Sequence, residues 1–259
     1  MHFIDTHCHL DDQIFDSDRG DVLQTCEANN VRQFILPGVT RSQWGRMFQI
    51  CSQSNSLFAA PGLHPCFLSS HDDNHISELE NQIVQNQEKV VAVGECGIDL
   101  FEEREDYDYQ VEVFLTQLEL AGKLKLPLIL HVRKAHDQVI KIIKDNKFGY
   151  GGVVHCFSGS LQQGTRYIDF GFKLGIGGVV TYERSHKLHR TISNLPLSAF
   201  VLETDAPDIP VLGRQKTRNS PEFLPDIFKA FVKYRPEKAS DIFDQLFRNT
   251  MELFPKLMS

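Results

Sequence analysis

Residues 3–9 read Phe3-Ile4-Asp5-Thr6-His7-Cys8-His9. The stretch is short and β-prone, and it ends in two histidines with one residue between them. Side chains on a strand alternate faces, so His7 and His9 are expected to point the same way. Imidazoles side by side at a strand's end are a compact way to hold a metal ion. They are also, elsewhere, ordinary polar residues, so the remainder of the chain has to decide.

Outward from this stretch, short apolar runs alternate with longer amphipathic ones. The runs are Phe3–Thr6, Gln33–Pro37, Leu57–Pro61, Val90–Gly94, Leu128–Leu130, Gly152–Val154, Phe172–Ile176 and Ala199–Glu203. Helical patterns fill the intervals: Asp18–Asn29, Arg41–Ser54, His75–Gln87, Tyr107–Leu124, Ala135–Asn146, Leu161–Phe170, Lys187–Asn194 and Pro221–Tyr234, with Asp241–Phe254 closing the chain. The clearest is Tyr107–Leu124, where Val111, Leu115, Leu118 and Ala121 share one side. Strands alternating with helices imply βαβ units and a parallel sheet. Eight such units predict an α/β fold of the closed (β/α)8 TIM-barrel type, with residues 1–259 as one domain.

That fold places chemistry at the carboxyl ends of its strands. The run Val90–Gly94 is followed by Glu95, Leu128–Leu130 by His131, and Gly152–Val154 by His155. The last run leads through Glu203 and Thr204 to Asp205. A lone histidine or acid after a strand is commonly a hydrogen-bonding residue or a helix N-cap. Several strands ending this way beside a His-x-His point instead to a metal centre. Six candidate ligands, His7, His9, Glu95, His131, His155 and Asp205, exceed the three that a catalytic zinc usually takes. Two divalent ions suit them better, with a carboxylate between. The expected partition is His7, His9 and Asp205 on one ion, His131 and His155 on the other, and Glu95 bridging. A histidine and carboxylate donor set suits Zn, Mn or Fe, with Mg less natural. Metal binding lowers the pKa of water to near 7, and Asp205 is the expected acceptor of its proton. Asp205 and Glu95 are therefore the catalytic candidates. There is no Gly-x-Ser-x-Gly elbow to argue for a serine nucleophile.

Composition narrows the partners. The formal net charge is -7, so no global positive field draws the chain to a polyanion, and contact with nucleic acid has to be local. The six cysteines form no C-x-x-C and no regular framework, which predicts free thiols and a reducing compartment. Cys8, Cys96 and Cys156 each follow a candidate ligand and are expected to be small buried hydrophobes on the opposite face. No apolar run approaches the ~18 residues of a membrane span, and the N-terminus opens into a strand rather than a signal sequence. A cytoplasmic enzyme with no membrane association and no obligate protein partner is expected.

Secondary candidates surround the mouth. His64, after Pro61-Gly62-Leu63, would face it and contact substrate. Arg133, two residues past His131, is either a partner for a phosphate oxygen or a solvated loop cation. Gly175-Ile176-Gly177-Gly178 is either a phosphate cradle or a turn. Arg184, His186, Lys187 and Arg190 are a basic cluster that reads more readily as a solvated helix face. Asp99 is expected to orient its loop or a ligand. Phe101, Tyr107 and Tyr109 would stack on bases or pack the next helix.

Six segments together resemble the TatD family of metal-dependent DNases and hydrolases, and its YjjV-like bacterial subgroup. They are Ile4–His9, Gly62–Pro65, Val93–Asp99, Leu128–His131, Val154–Gly159 and Leu202–Pro207, in family order along nearly the whole chain. Ser158–Gln163 and Asp205–Asp208 carry the subgroup likeness. The resemblance implies a TIM barrel, a divalent-metal site and hydrolysis of phosphodiester bonds in DNA, as an exonuclease. It carries His7, His9, Glu95, His131, His155 and Asp205 over as metal ligands and His64 as a substrate contact. Asp208 departs from the aromatic residue that many family DNases have there, and a carboxylate at the mouth opposes a phosphate backbone. The other reading is a C–N hydrolase of the amidohydrolase type acting on a small cyclic amide or related metabolite. A non-enzymic metal-binding role fits poorly, because structural metal sites are closed.

Overall fold

The computed structural model describes residues 1–72, 74–101 and 106–258. Strands and helices alternate: β1 (Phe3–Asp5), α1 (Arg19–Ala28), β2 (Val31–Pro37), α2 (Arg41–Ser52), β3 (Leu57–Ala60), α3 (Asn74–Gln85), β4 (Val93–Asp99), α4 (Tyr107–Leu124), β5 (Leu128–Arg133), α5 (His136–Asp145), β6 (Gly152–Val154), α6 (Leu161–Asp169), β7 (Phe172–Ile176), α7 (His186–Asn194), β8 (Phe200–Leu202), α8 (Leu224–Val232) and α9 (Ala239–Leu253). All paired strands are parallel, in the orders β1-β2-β3 and β4-β5-β6-β7-β8. Backbone bonds join these two groups into a barrel. Val91 N–H donates to Ala59 O at 3.0 Å, bridging β3 to the approach of β4, and Thr6 N–H donates to Leu202 O at 3.1 Å, bridging β1 to β8.

The strand pleat sorts the apolar side chains into two layers. Ile4, Ile35, Phe58, Ala60, Val91, Ile129, Val153 and Val201 fill the barrel, while their neighbours Phe34, Leu36, Leu128, Leu130, Phe200 and Leu202 pack against the helices. Cys8 and Cys96 belong to that outer layer, as expected, whereas Cys156 is only partly buried. The C-terminal turn Pro255–Met258 closes the end of the barrel where strands begin. There Gln33 Nε2 donates to Leu257 O at 2.6 Å, and Lys256 Nζ donates to Val90 O at 2.9 Å. The opposite end stays open for the site.

Helix starts follow local chemistry. Asp106 caps α4 by accepting from the Asp108 and Tyr109 amides. Thr40 with Gln43 and Ser160 with Gln163 form capping boxes on α2 and α6. Several strand bounds depart from the apolar runs; β5, for one, runs on through Arg133, so His131 lies on the strand. β1 stops at Asp5, so His7 and His9 lie just beyond the strand rather than on it. Asp5 is the reason: its buried carboxylate accepts the His7 amide at 3.2 Å and the Thr204 amide at 3.0 Å, turning the chain out of ladder geometry. β4 begins later and runs further than the apolar run, so Glu95 and Asp99 are strand residues. Pro221–Tyr234 divides into a short 3-10 turn, Pro221–Phe223, followed by α8.

Two glycines let β3 and β4 approach beneath the site. A methyl group on Gly62 would lie 2.4 Å from Gly94 C and 2.8 Å from Glu95 N, and both are backbone atoms. Gly62→Ala is therefore expected to push the Glu95 backbone outward and to cost about 1–3 kcal/mol of stability, as overpacking does. Thermal unfolding together with a cation-binding titration checks this. A variant with unchanged Tm and unchanged cation affinity would contradict it.

Candidate metal centre

Each candidate ligand comes from a different place in the chain, and the barrel converges them at its open end. His7 Nε2 lies 3.3 Å from His9 Nε2, 3.4 Å from a Glu95 oxygen and 3.4 Å from Asp205 Oδ1, while His9 Nε2 lies 3.7 Å from the same Asp205 oxygen. Metal–ligand bonds of about 2.0–2.1 Å give a tetrahedron with edges of about 3.3–3.4 Å. The three spacings about His7 match those edges. Donor atoms of His7, His9 and Glu95 all fall within 4.8 Å of one another, with Asp205 3.4 Å from His7, which suits one cation. Two imidazole nitrogens facing each other and two carboxylate oxygens is donor chemistry for a divalent ion, and the residues fit the group.

The expected second set is more spread. His131 Nδ1 faces the other Glu95 oxygen, Oε1, at 2.9 Å. His155 Nε2 faces Asp205 Oδ2 at 3.7 Å, and its ring stacks on His7 with centroids 3.6 Å apart. Glu95 thus presents Oε2 to His7 and Oε1 to His131, the arrangement a bridging carboxylate needs. His131 and His155 each lean on a different carboxylate.

Asp205 sits in the left-handed backbone region at φ 58, where aspartate is tolerated better than most residues. The strain is held by its own amide, which donates to His7 O at 2.8 Å, and by its carbonyl, which accepts from Asp208 N–H at 2.7 Å. Beneath it, Thr204 Oγ1 donates to Asp5 Oδ2 at 2.5 Å. Burial pushes the Asp5 carboxyl up to about 8, against hydrogen bonds from Thr204 and His7 that pull it down. Asp5 and Thr204 therefore latch the first strand to the last and aim the ligands that follow both.

A second layer of carboxylates orients the rings. Asp99 Oδ2 accepts from His131 Nε2 at 2.8 Å, leaving Nδ1 free to face Glu95. Burial raises the Asp99 carboxyl, but His131 and the Phe101 amide outweigh it and hold it at about 2. Asp99 is thus a positioning residue for a ligand, one of its two expected roles. Glu203 Oε1 accepts the Cys156 amide at 2.6 Å and lies 3.0 Å from His155 Nδ1, off the line of a well-aligned hydrogen bond. Glu203 is fully buried, and Gly175 makes room for it: a methyl group on Gly175 would lie 2.2 Å from Glu203 Oε2. Gly175 therefore accommodates this side chain, which gives the first glycine of Gly175–Gly178 a packing role in place of a phosphate cradle.

The electrostatics alternate in sign. Burial would raise the Glu95 carboxyl, yet His64, His7, His155 and His131 together hold it well below its usual range. His7 is lowered by burial and by the neighbouring His155. Burial works against protonated His155, but Glu203, Asp205 and Glu95 push it up to about 10. His131 is likewise held well above its ordinary value, against burial, by Asp99, Cys66 and Glu95.

The mouth opens into a cavity of about 480 Å³ whose lining includes His9, His64, Glu95, His131, His155 and Asp205. His64 is there as expected: its Nδ1 accepts the Cys66 amide at 3.0 Å, which places the ring proton on Nε2, 3.5 Å from Glu95 Oε1. Arg133 is not in that lining. Its guanidinium stacks on Phe101 at 3.5 Å, with Lys134 Nζ at 4.6 Å from the same ring, so Phe101 backs cations beside the mouth. Tyr109 packs on the outer core, and Tyr107 is exposed. Arg46, on α2, is the one guanidinium among the described lining residues; nothing in a mid-helix arginine announced it. Asp11, Asp12 and Asp208 form an acidic side of the same cavity. The basic cluster lies away from the ligands, with Lys187 Nζ donating to Ser158 O at 2.8 Å and Arg184 over the Tyr182 ring.

The chain matches a sequence family described as "TatD related DNase" over residues 4–255. It is 40% identical over 252 residues to YjjV of Escherichia coli, named an uncharacterized metal-dependent hydrolase, covering 97% of each chain. A metal-dependent hydrolase of Haemophilus influenzae is 35% identical over 262 residues, covering 98% of this chain and 100% of the relative. The crystal structure of YjjV superposes with a TM-score of 0.95 over 98% of both chains. A TatD-family hydrolase of Entamoeba histolytica, 21% identical, shares the fold with a TM-score of 0.88 over 98% of both.

Two outcomes follow from the donor set. Glu203→Gln is expected to weaken cation binding roughly 10–100-fold by loosening His155, with the fold retained, as loss of an outer carboxylate does; equal affinity by calorimetry would contradict it. Because His131 and His155 hold protons above the usual histidine range, a cation must displace them. Affinity is therefore expected to rise with pH through neutrality, with net proton release on binding. Binding enthalpies independent of the buffer's ionisation enthalpy would contradict that.

Proposed function

The chain belongs to the TatD family of metal-dependent hydrolases, and on that premise we propose that it is a deoxyribonuclease, an exonuclease cleaving phosphodiester bonds of DNA with an activated water. The observation that carries the reading is the convergence of His7, His9 and Asp205 on one side of Glu95, with His131 on its other side. His7, His9 and Asp205 would hold one divalent cation, His131 and His155 the other, with Glu95 shared. Such a pair supplies a water of lowered pKa and polarises a phosphoryl oxygen.

The chain's own groups divide the remaining work. Asp205 Oδ1 and Oδ2 face histidines on both sides, so this carboxylate is placed to take the water's proton as it attacks. His64 lines the cavity, and its Nε2–H, which faces Glu95 Oε1 at 3.5 Å, would serve a non-bridging or leaving oxygen as donor. Arg46 lines the cavity, held there by the Asp11 carbonyl and the Asp16 carboxylate, and Arg133, stiffened by Phe101, stands beside it; both are guanidiniums that flanking phosphates would meet. The acidic side of Asp11, Asp12 and Asp208 limits how much polyanion enters. One strand end inserted past Arg46 suits this cavity better than a duplex laid across it.

The same acidic side favours a second reading, an amidohydrolase-type C–N hydrolase acting on a small cyclic amide or related metabolite. A direct comparison separates the two. With Mn²⁺, Zn²⁺ or Mg²⁺, the protein is assayed on single-stranded DNA, duplex DNA, a generic phosphodiester and a cyclic amide. Phosphodiester cleavage, lowered about 10²–10⁴-fold in Asp205→Asn and lost in a Glu95→Ala/His131→Ala double variant, is the expected result. Turnover of the amide alone would overturn it.

A further inference from the structure

One thiol lies among the histidines of the mouth. Cys66 follows His64-Pro65 in a short 3-10 segment, Pro65–Ser70, that starts at the end of β3, with His64 as its cap. Its sulfur lies 3.4 Å from Asp99 Oδ2, which in turn accepts from His131 Nε2 at 2.8 Å. His64 Nε2 lies 3.1 Å from His131 Nδ1. Donor atoms of His64, Cys66 and His131 all fall within 4.8 Å of one another. Cys66 is partly exposed, so the sulfur is within reach of solvent, whereas Cys8, Cys26, Cys51 and Cys96 are buried.

Sulfur changes what such a cluster can bind. Two imidazoles and a thiolate are soft and borderline donors that select zinc over magnesium or manganese. Asp99 is at hand as a fourth donor, and the thiol proton passes to solvent when the sulfur takes a cation. His131 cannot serve this cluster unchanged while its Nδ1 serves the Glu95 side, because both its nitrogens are already committed, to Glu95 and to Asp99.

We infer that His64, Cys66 and His131, with Asp99, form a second site for a thiophilic divalent cation, zinc foremost, and that filling it inhibits hydrolysis by drawing His131 and His64 away from the Glu95 centre. The inhibitory half rests on the functional reading above; the binding half does not. Zinc would then support activity while scarce and suppress it in excess, whereas manganese would not suppress.

Cobalt titration of the metal-free protein tests the site by its spectrum. Once cobalt exceeds what the Glu95 centre takes up, the wild type is expected to develop near-ultraviolet thiolate-to-cobalt charge-transfer absorption. Cys66→Ser is expected to lose that absorption, and Cys156→Ser to keep it. At limiting metal Cys66→Ser retains wild-type activity, and the zinc concentration that half-inhibits it rises about tenfold or more. No charge-transfer absorption in the wild type, or equal absorption in Cys66→Ser, overturns the site. Unchanged zinc inhibition in Cys66→Ser overturns its inhibitory role. Cys66-dependent absorption in a protein that cleaves no phosphodiester supports the site and overturns the nuclease reading instead.

Discussion

A carboxylate at the bottom of the barrel mouth, Glu95, is almost wholly shielded from water. Burying a charge uncompensated costs several kcal/mol, so its surroundings must answer it. They do so with imidazoles from three strand ends, His7, His64 and His131, all within 3.5 Å of its oxygens. These rings in turn crowd each other: His7 and His155 stack, and His64 touches His131. Outer carboxylates then face the rings' far sides: Asp99 accepts from His131, and Glu203 lies 3.0 Å from His155 Nδ1. Charge alternates outward from Glu95, and the strands that supply each layer are fixed by the barrel. Divalent cations held between these groups, as proposed, would satisfy the facing nitrogens and the carboxylates together.

Much of this was legible in the sequence, for a physical reason. Strand-end residues in a barrel share one rim, so a polar side chain closing an apolar run has a known destination. Gly152–Val154 and Phe172–Ile176 are strands with the bounds their apolar runs suggest, and the side chains of His131, His155, Glu95 and Asp205 face one cavity. What stayed hidden depends on partners far along the chain. Asp5 reads as a strand residue until Thr204, 199 positions away, meets its carboxylate. Glu203 reads as a step toward Asp205 until Gly175 is seen to leave space for it. Arg133 reads as a cation two residues past His131, and only the fold shows Phe101, 32 positions back, stacked on its guanidinium. Arg46 has no sequence signal at all, because a helix residue reaches the mouth only through the way α2 packs.

The fold and the donor set constrain chemistry more tightly than they constrain substrate. Hydrolysis by activated water needs the convergence at Glu95 and a proton acceptor such as Asp205. Substrate choice is written on the cavity walls, where Arg46 and His64 stand opposite Asp11, Asp12 and Asp208. A wall of mixed sign favours a ligand that presents little charge beyond the scissile group, which is why a single strand end is the better fit within the nuclease reading. Cys66, tucked behind His64, adds a donor that the hydrolytic chemistry does not use.

The bridging role of Glu95 is the claim on which the rest turns, and anomalous diffraction from crystals grown with Mn²⁺ measures it directly. Two peaks about 3.5–4 Å apart, with the Glu95 carboxylate between them, His7, His9 and Asp205 at one and His131 and His155 at the other, is the predicted result. A single peak, or two peaks that Glu95 does not touch, would contradict it.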